Sequence, residues 1–170
     1  MELAAVLSGP HGERLAEAGL SSRRTVKVLS LVTPAAGRYH LAVSAAEGGA
    51  GAGEGGPPQG TALLTLEERR PATARDQGRV EAQRALADGL ALWQSAAAGG
   101  KEKSREKLAS ARRLAQAAGD FAVEIDAQAE IGHIQINDGD AQGALPELRQ
   151  AEAAARRHGY VHGMALAASE

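Results

Sequence analysis

The sequence predicts a mixed α+β chain. A partial antiparallel β-sandwich over residues 1–70 is followed by a stack of antiparallel α-helical hairpins over residues 71–170. Three observations carry this reading. Before Arg70, short runs of apolar and β-branched residues are separated by Gly/Pro turn signals. After Arg70 the apolar spacing becomes helical. The helical part then repeats itself at an interval of 40 residues.

The strands come first. Leu3 to Leu7 is an apolar run closed by Ser8-Gly9-Pro10-His11-Gly12, a dense turn signal, and Arg14 to Ala18 can pair back on it as a hairpin. Thr25 to Val32 is rich in β-branched residues. Pro34-Ala35-Ala36-Gly37 turns the chain into Arg38 to Val43, whose alternation puts Tyr39, Leu41 and Val43 on one face. Glu47 to Gly60 is Gly/Pro-rich and aperiodic, a loop or long hairpin tip, and Thr61 to Leu66 is the fifth strand candidate. Because the first strand begins almost at Met1, the sandwich is expected to lack its leading strands, as in a truncated chain. Its open edge would be a pairing site.

Thr73 and Asp76, three apart, form a capping-box signal for the first helix. Val80, Leu86, Leu90 and Trp93 continue at helical spacing to about Ala98, and Gly99-Gly100 is expected to end the helix. The second helix is expected from Glu102 to Ala118, the third from Phe121 to Asn137, the fourth from Ala141 to Arg157 and the fifth from Val161 to Ser169. Breaks fall at Gly119-Asp120, Asp138-Gly139-Asp140 and His158-Gly159. Connections this short force antiparallel neighbours.

The repeat is internal. Gly119 and Gly159 lie 40 residues apart, and Leu108, Ala111 and Ala115 align with Leu148, Ala151 and Ala155. Within the hairpin, Ile131-Gly132 is followed by Ala144, Leu148 and Ala151. That is the tetratricopeptide order: a large apolar residue and Gly on the first helix, then a small and a large residue on the second. Gly132 and Ala144 are expected to let the two helices touch, with Ile131 and Leu148 filling the space beside the contact.

The order of segments resembles one known family. Gly37-Arg38-Tyr39-His40-Leu41-Ala42-Val43 is followed by Leu64 to Asp76, then Arg84-Ala85-Leu86-Ala87-Asp88-Gly89, then Ala111 to Asp120. This resembles the N-terminal part of bacterial tetratricopeptide proteins that end in a CHAT domain, a caspase-like peptidase module. The resemblance implies a β-sandwich similar to bacterial pre-peptidase C-terminal domains ahead of the repeats, with Val6 to Ala16 similar to its middle strand pair. The first sandwich strands and the CHAT domain are not in the sequence, so the peptidase activity transfers to no residue here. The alternative function the resemblance implies is a regulatory fragment of such a peptidase.

Composition narrows the chemistry. With 19 basic and 21 acidic residues, neither sign dominates, and nothing points to a nucleic acid or an anionic membrane surface. There are no cysteines, so disulfides, thiol catalysis and Cys-based zinc sites are excluded. No apolar run approaches the roughly 20 residues that span a bilayer. The N-terminus lacks the basic and apolar regions of a signal peptide, which leaves a cytoplasmic location as the default expectation. His158 and His162 are four apart, but Gly159 interrupts them at a helix break. Asp138-Gly139-Asp140 lacks the further acidic ligands of a calcium loop and reads as a turn with an Asp N-cap. The stretch Gly48 to Gly60 has no Gly-Lys-Ser/Thr ending and is not a phosphate loop. No cluster supplies a nucleophile with a base, so neither an enzyme nor a bound cofactor or metal is expected.

What remains is contact with a protein or peptide partner. The candidate peptide groove is the inner face of the third helix: Asp126, Ala129, His133, Ile136 and Asn137. Self-association through the open sheet edge or the terminal helix is a further expectation. If the chain is a peptidase fragment, its reading frame should continue into a domain carrying a catalytic His and Cys. Sequencing the flanking DNA checks this, and a frame closed on both sides would remove that alternative.

Overall fold

A computed structural model describes residues 3–20, 31–45, 69–95 and 99–168. The chain divides into two compact units, Met1–Ala72 and Thr73–Glu170. The described residues comprise a three-stranded antiparallel sheet and five helices, a mixed α+β composition.

In the first unit, β1 (Leu3–Ser8) lies between β2 (Arg14–Leu20) and β3 (His40–Ala45), antiparallel to both. The β1–β2 turn is closed by Gly9 N donating to Glu13 O at 2.8 Å and Gly12 N to Gly9 O at 3.0 Å, with Gly12 at φ 81. An irregularity between Leu7 and Ser8 shifts the register there. Opposite residues of a ladder share a face, so Ala5, Leu7, Ala16, Leu41 and Val43 stand on one side. Val6, Ala42, Ser8, Arg14 and His40 stand on the other. The sheet is thus apolar on one face and mostly polar on the other. Tyr39 falls just outside β3, and its hydroxyl donates to Ala35 O at 2.5 Å across the turn. Leu31 and Val32 are described and are not in a strand, while the rest of the Thr25–Val32 candidate and all of Thr61–Leu66 lie outside the described residues.

The second unit holds α1 (Ala74–Gln94), α2 (Gly100–Ala118), α3 (Phe121–Asn137), α4 (Ala141–His158) and α5 (Val161–Ala167). Each helix packs on the next, and α3 also meets α1 and α5. At the start of α1, the Asp76 carboxylate accepts from Thr73 N at 2.8 Å and from the Thr73 hydroxyl at 2.7 Å. The glycine pair expected to close α1 does something else. The helix ends at Gln94, and Gly99 (φ 73) is the N-cap of α2. Gly100 is buried, and a Cβ there would lie 3.0 Å from Leu92 O. A side chain at that position would push α2 off the end of α1.

Three of the following helix ends share one device. Asp120 N donates to Ala115 O at 2.9 Å while Gly119 N donates to Gln116 O at 3.2 Å. Tyr160 N to Ala155 O at 2.8 Å and Gly159 N to Arg156 O at 3.2 Å repeat it, as do Asp140 N to Gln135 O and Gly139 N to Ile136 O, both at 2.9 Å. This Schellman closure pairs carbonyls that a helix end otherwise leaves open, and it requires a left-handed residue that only Gly adopts freely. Asp120 and Asp140 then cap the helices that follow, accepting from Val123 N at 3.2 Å and Gly143 N at 2.9 Å.

The core is built from Ala and Leu rather than aromatics. One cluster joins Ala82, Ala85, Leu86, Leu108, Ala111, Ala115, Val123, Ala127 and Ile134, and the other joins Ile125, Ala129, Leu148, Ala151, Ala155 and Ala167. At the α3–α4 crossing, a Cβ on Gly132 would lie 2.8 Å from Leu148 Cδ2 and 3.5 Å from Ala144 O. Gly132, Ala144 and Leu148 therefore meet at one contact, and Ala151 is buried in the cluster that holds Leu148. Ile131 packs on the first cluster, whereas Leu148 and Ala151 belong to the second. The α1–α2 crossing has the same form, since a Cβ on Gly89 would lie 2.9 Å from Leu108 Cδ2.

Gly132→Val is expected to destabilise the helical unit by about 1–3 kcal/mol through overpacking. Pairing it with Leu148→Ala should recover part of that loss. Urea denaturation of the two single variants and the double variant measures the coupling, and strict additivity would show that the two residues do not share a contact.

Candidate functional site

The candidate stripe lies on α3, the helix with the most neighbours. Ala129 is fully buried and Asp126 is 8% exposed. Asp126 Oδ1 accepts from the Tyr160 hydroxyl at 3.1 Å. Ala129 and Ile136 belong to the cluster that α4 and α5 complete with Leu148, Met164 and Ala167. His133 is half-buried and lies 3.9 Å from the Glu130 carboxylate. Asn137 is exposed, and its side chain donates to His133 O at 2.8 Å. The five residues therefore share a helix but not an environment. Two of them are covered, and the accessible end of the stripe is His133, Ile136 and Asn137.

A polar network crosses three helices beside the stripe. Gln128 is 4% exposed and donates to Glu147 at 3.1 Å and to Gln150 at 2.9 Å. Glu147 also accepts from Arg112 at 3.2 Å. Pairing of this kind removes the cost of burying the amide. Ser104 is fully buried and donates to Gly89 O at 2.7 Å, bonding α2 to α1 beside the Gly89–Leu108 crossing. None of these residues stood out in the sequence. The 40-residue offset does place Ser104 opposite Ala144, which marks it as a position for a small buried side chain.

Aromatic residues gather around the α4–α5 turn. Phe121 stacks on His158 with centroids 4.4 Å apart and 4° between planes. Tyr160 meets Phe121 edge-on at 6.2 Å and His162 at 5.9 Å. His158 and His162 thus pack on different rings, across a left-handed Gly159 at φ 63. Among the described residues, no group of three or more His, Cys, Asp or Glu side chains is placed to hold a metal ion. No described helix is long and apolar enough to cross a membrane. A surface depression of about 380 Å³ is lined by Asp88, Ala91, Leu92, Ser95 and Lys107 and is bridged by the Asp88–Lys107 ion pair at 3.1 Å.

At the opposite end of α3, Asp138 is the C-cap, where the helix dipole disfavours a negative charge. Two cations from α2 offset this: Lys101 Nζ at 2.7 Å and the Arg105 guanidinium, also in contact. Lys101 Nζ lies 5.5 Å from the Trp93 ring centroid as well, so this point gathers α1, α2 and α3. The hydrogen bond from Lys101 holds the Asp138 carboxyl below its usual value of 3.8. The charges of Lys101 and Arg105 add to this, and partial desolvation opposes it.

Comparison with known proteins finds no matching family model, no matching curated protein and no matching solved structure.

Because folding lowers the Asp138 pKa, its contribution to stability is complete above 3.8 and is lost as pH falls through the lowered folded value. Asp138→Asn should therefore lower stability at neutral pH and flatten the loss of stability below pH 3.8. Thermal melts of both chains across that range test this, and parallel acid limbs would contradict it.

Proposed function

We propose that the helical unit is a non-catalytic protein-interaction module built from tetratricopeptide-type hairpins, and that the sheet of the first unit belongs to a partial β-sandwich. The observation that carries the reading is the recurring crossing: Gly89 on Leu108, then Gly132 on Leu148, with the two leucines 40 residues apart. The Schellman closures at Gly119 and Gly159 share that interval. A repeat unit that packs mainly on its sequence neighbours extends as an array, and such arrays act through their surfaces. The charged side chains of the second unit also support contact over chemistry. Its closest groups are paired across helices as ties, as with Asp138, Glu147 and Asp88.

The partner is a protein segment or peptide, read by the accessible end of the stripe at His133, Ile136 and Asn137. The full chain should enrich binders from a phage-displayed library of short random peptides. His133→Ala with Asn137→Ala should then weaken the selected peptides by about tenfold, which is about 1.4 kcal/mol, with helical content unchanged by circular dichroism. Equal affinity for both chains would remove the stripe from the reading, and failure to enrich any peptide would remove the module.

A further inference from the structure

We propose that α5 is a displaceable helix seated in a cleft of α3 and α4, and that the same cleft accepts α5 of a second copy of this chain. This rests on the helical unit acting through contact, but not on the His133–Asn137 stripe, so either test can fail alone.

The seat is specific. Gly163 lies between the Tyr160 ring and α3: a Cβ there would come within 2.5 Å of Tyr160 Cδ1 and 2.8 Å of Ile125 Cγ2. Three residues earlier, the Tyr160 hydroxyl donates to buried Asp126 at 3.1 Å. Four residues later, Ala167 is buried with Ala129, Leu148 and Ala155, and Met164 and Leu166 pack on the same cluster. The cleft therefore reads an aromatic hydroxyl, then a residue without a side chain, then a small residue, on one helical face. The sequence Tyr160-x-x-Gly163-x-x-x-Ala167 meets all three requirements. A larger residue at the middle position would collide with Ile125 on α3 and with the seated Tyr160 ring. This is helix-in-groove recognition with the ligand supplied by the chain itself.

The seat is also weakly held. Isolated helices shorter than about 12–15 residues are marginal in water, and α5 spans two turns with no side-chain cap at Tyr160. Its order comes from the cleft. It contacts α3 and α4, whereas α3 is held by all four other helices. Its link to α4 is Gly159, in the left-handed region, and Tyr160. His162 Nε2 is buried on α5 without a hydrogen-bond partner, a cost that release to water removes. Leaving the seat uncovers Ile125 and Ala129, now 1% and 0% exposed, and that apolar surface needs another helix of the same pattern.

Competition between the tethered and the free helix tests the proposal. A short tether holds α5 near its seat at an effective concentration on the order of millimolar, so a fluorescent peptide of residues 158–168 should bind the full wild-type chain weakly. In a Gly163→Leu chain the tethered competitor is evicted, and the same peptide should bind at least about tenfold more tightly. A peptide carrying Gly163→Leu should bind neither chain. Equal binding of the wild-type peptide to both chains, or binding to neither, would overturn the proposal. If the Gly163→Leu chain loses the helicity of α1–α4, hydrogen exchange on the unmodified chain decides instead. Amides of α5 exchanging about 100-fold faster than those of α3 and α4 support a displaceable helix, and matching protection overturns it.

Discussion

The distance between the helices of each hairpin is limited by the largest atom at their crossing. In both hairpins that limit is removed by a glycine facing a leucine. Gly89 receives Leu108 and Gly132 receives Leu148. Had either glycine carried a Cβ, the leucine would have to leave its place in the core or the helices would have to part. The rest of the helical unit depends on this closeness. Its buried residues are mostly alanines, which make useful dispersion contacts only when backbones are near. An Ala-rich core held a little further apart would be a set of voids, not a weaker version of the same core. Glycine in a helix interior is costly by roughly 1 kcal/mol relative to alanine. The crossing returns that cost by letting Leu108 become fully buried and Leu148 nearly so.

Close packing of short side chains leaves little room for error at the helix ends. The ends are correspondingly well specified. Gly119, Gly139 and Gly159 close their helices with paired backbone bonds, and Asp120 and Asp140 start the next ones two residues or fewer further on. Each turn therefore has fixed geometry before any side-chain packing is considered. Ion pairs then register neighbouring helices along their length: Lys101 and Arg105 to Asp138, and Arg112 to Glu147. Exposed pairs add little stability individually. Their value here is in opposing slippage between alanine faces, which have no large features of their own to lock into one another.

Much of the helical unit was legible in the sequence because its signals are local. Asp caps, glycine breaks and a 3.6-residue apolar spacing can all be read within a few positions, and α3 begins and ends where those signals place it. The Gly99-Gly100 pair misleads for the same reason. A local rule assigns two glycines to the end of the preceding helix, whereas Gly100 is small because the end of α1, at Leu92 O, presses on it from outside the local window. The stripe on α3 is a similar case. Helical spacing places Asp126, Ala129, His133, Ile136 and Asn137 near one line but carries no information on what lies across from them. Tyr160 and Ala167 cover the first part of that line, and nothing in residues 126–137 announces it. In the first unit, the hairpin of β1 and β2 follows from adjacent runs and a strong turn. The pairing of β3 to the far side of β1 is non-local and follows from neither.

The burial of α3 bears on function more than any single residue does. It is the most apolar of the long helices, and its neighbours lie on nearly every side. A helix in that position cannot be both the structural centre and a broad recognition surface. Two polar groups of α3 are engaged in cohesion rather than offered to a partner: Asp126 with Tyr160, and Gln128 with Glu147 and Gln150. Each of these bonds lasts only while the neighbouring helix is in place, and a buried carboxylate or amide that loses a partner is costly. The cover over Asp126 is therefore conditional in a way that an apolar cover is not. While Tyr160 is seated, the hydroxyl discriminates in favour of the native register of α5. If α5 leaves, the same carboxylate regains water and ceases to hold the cleft shut. A polar group beneath a short helix thus makes its docking specific without making it strong, which is the balance expected of a contact surface that exchanges its occupant.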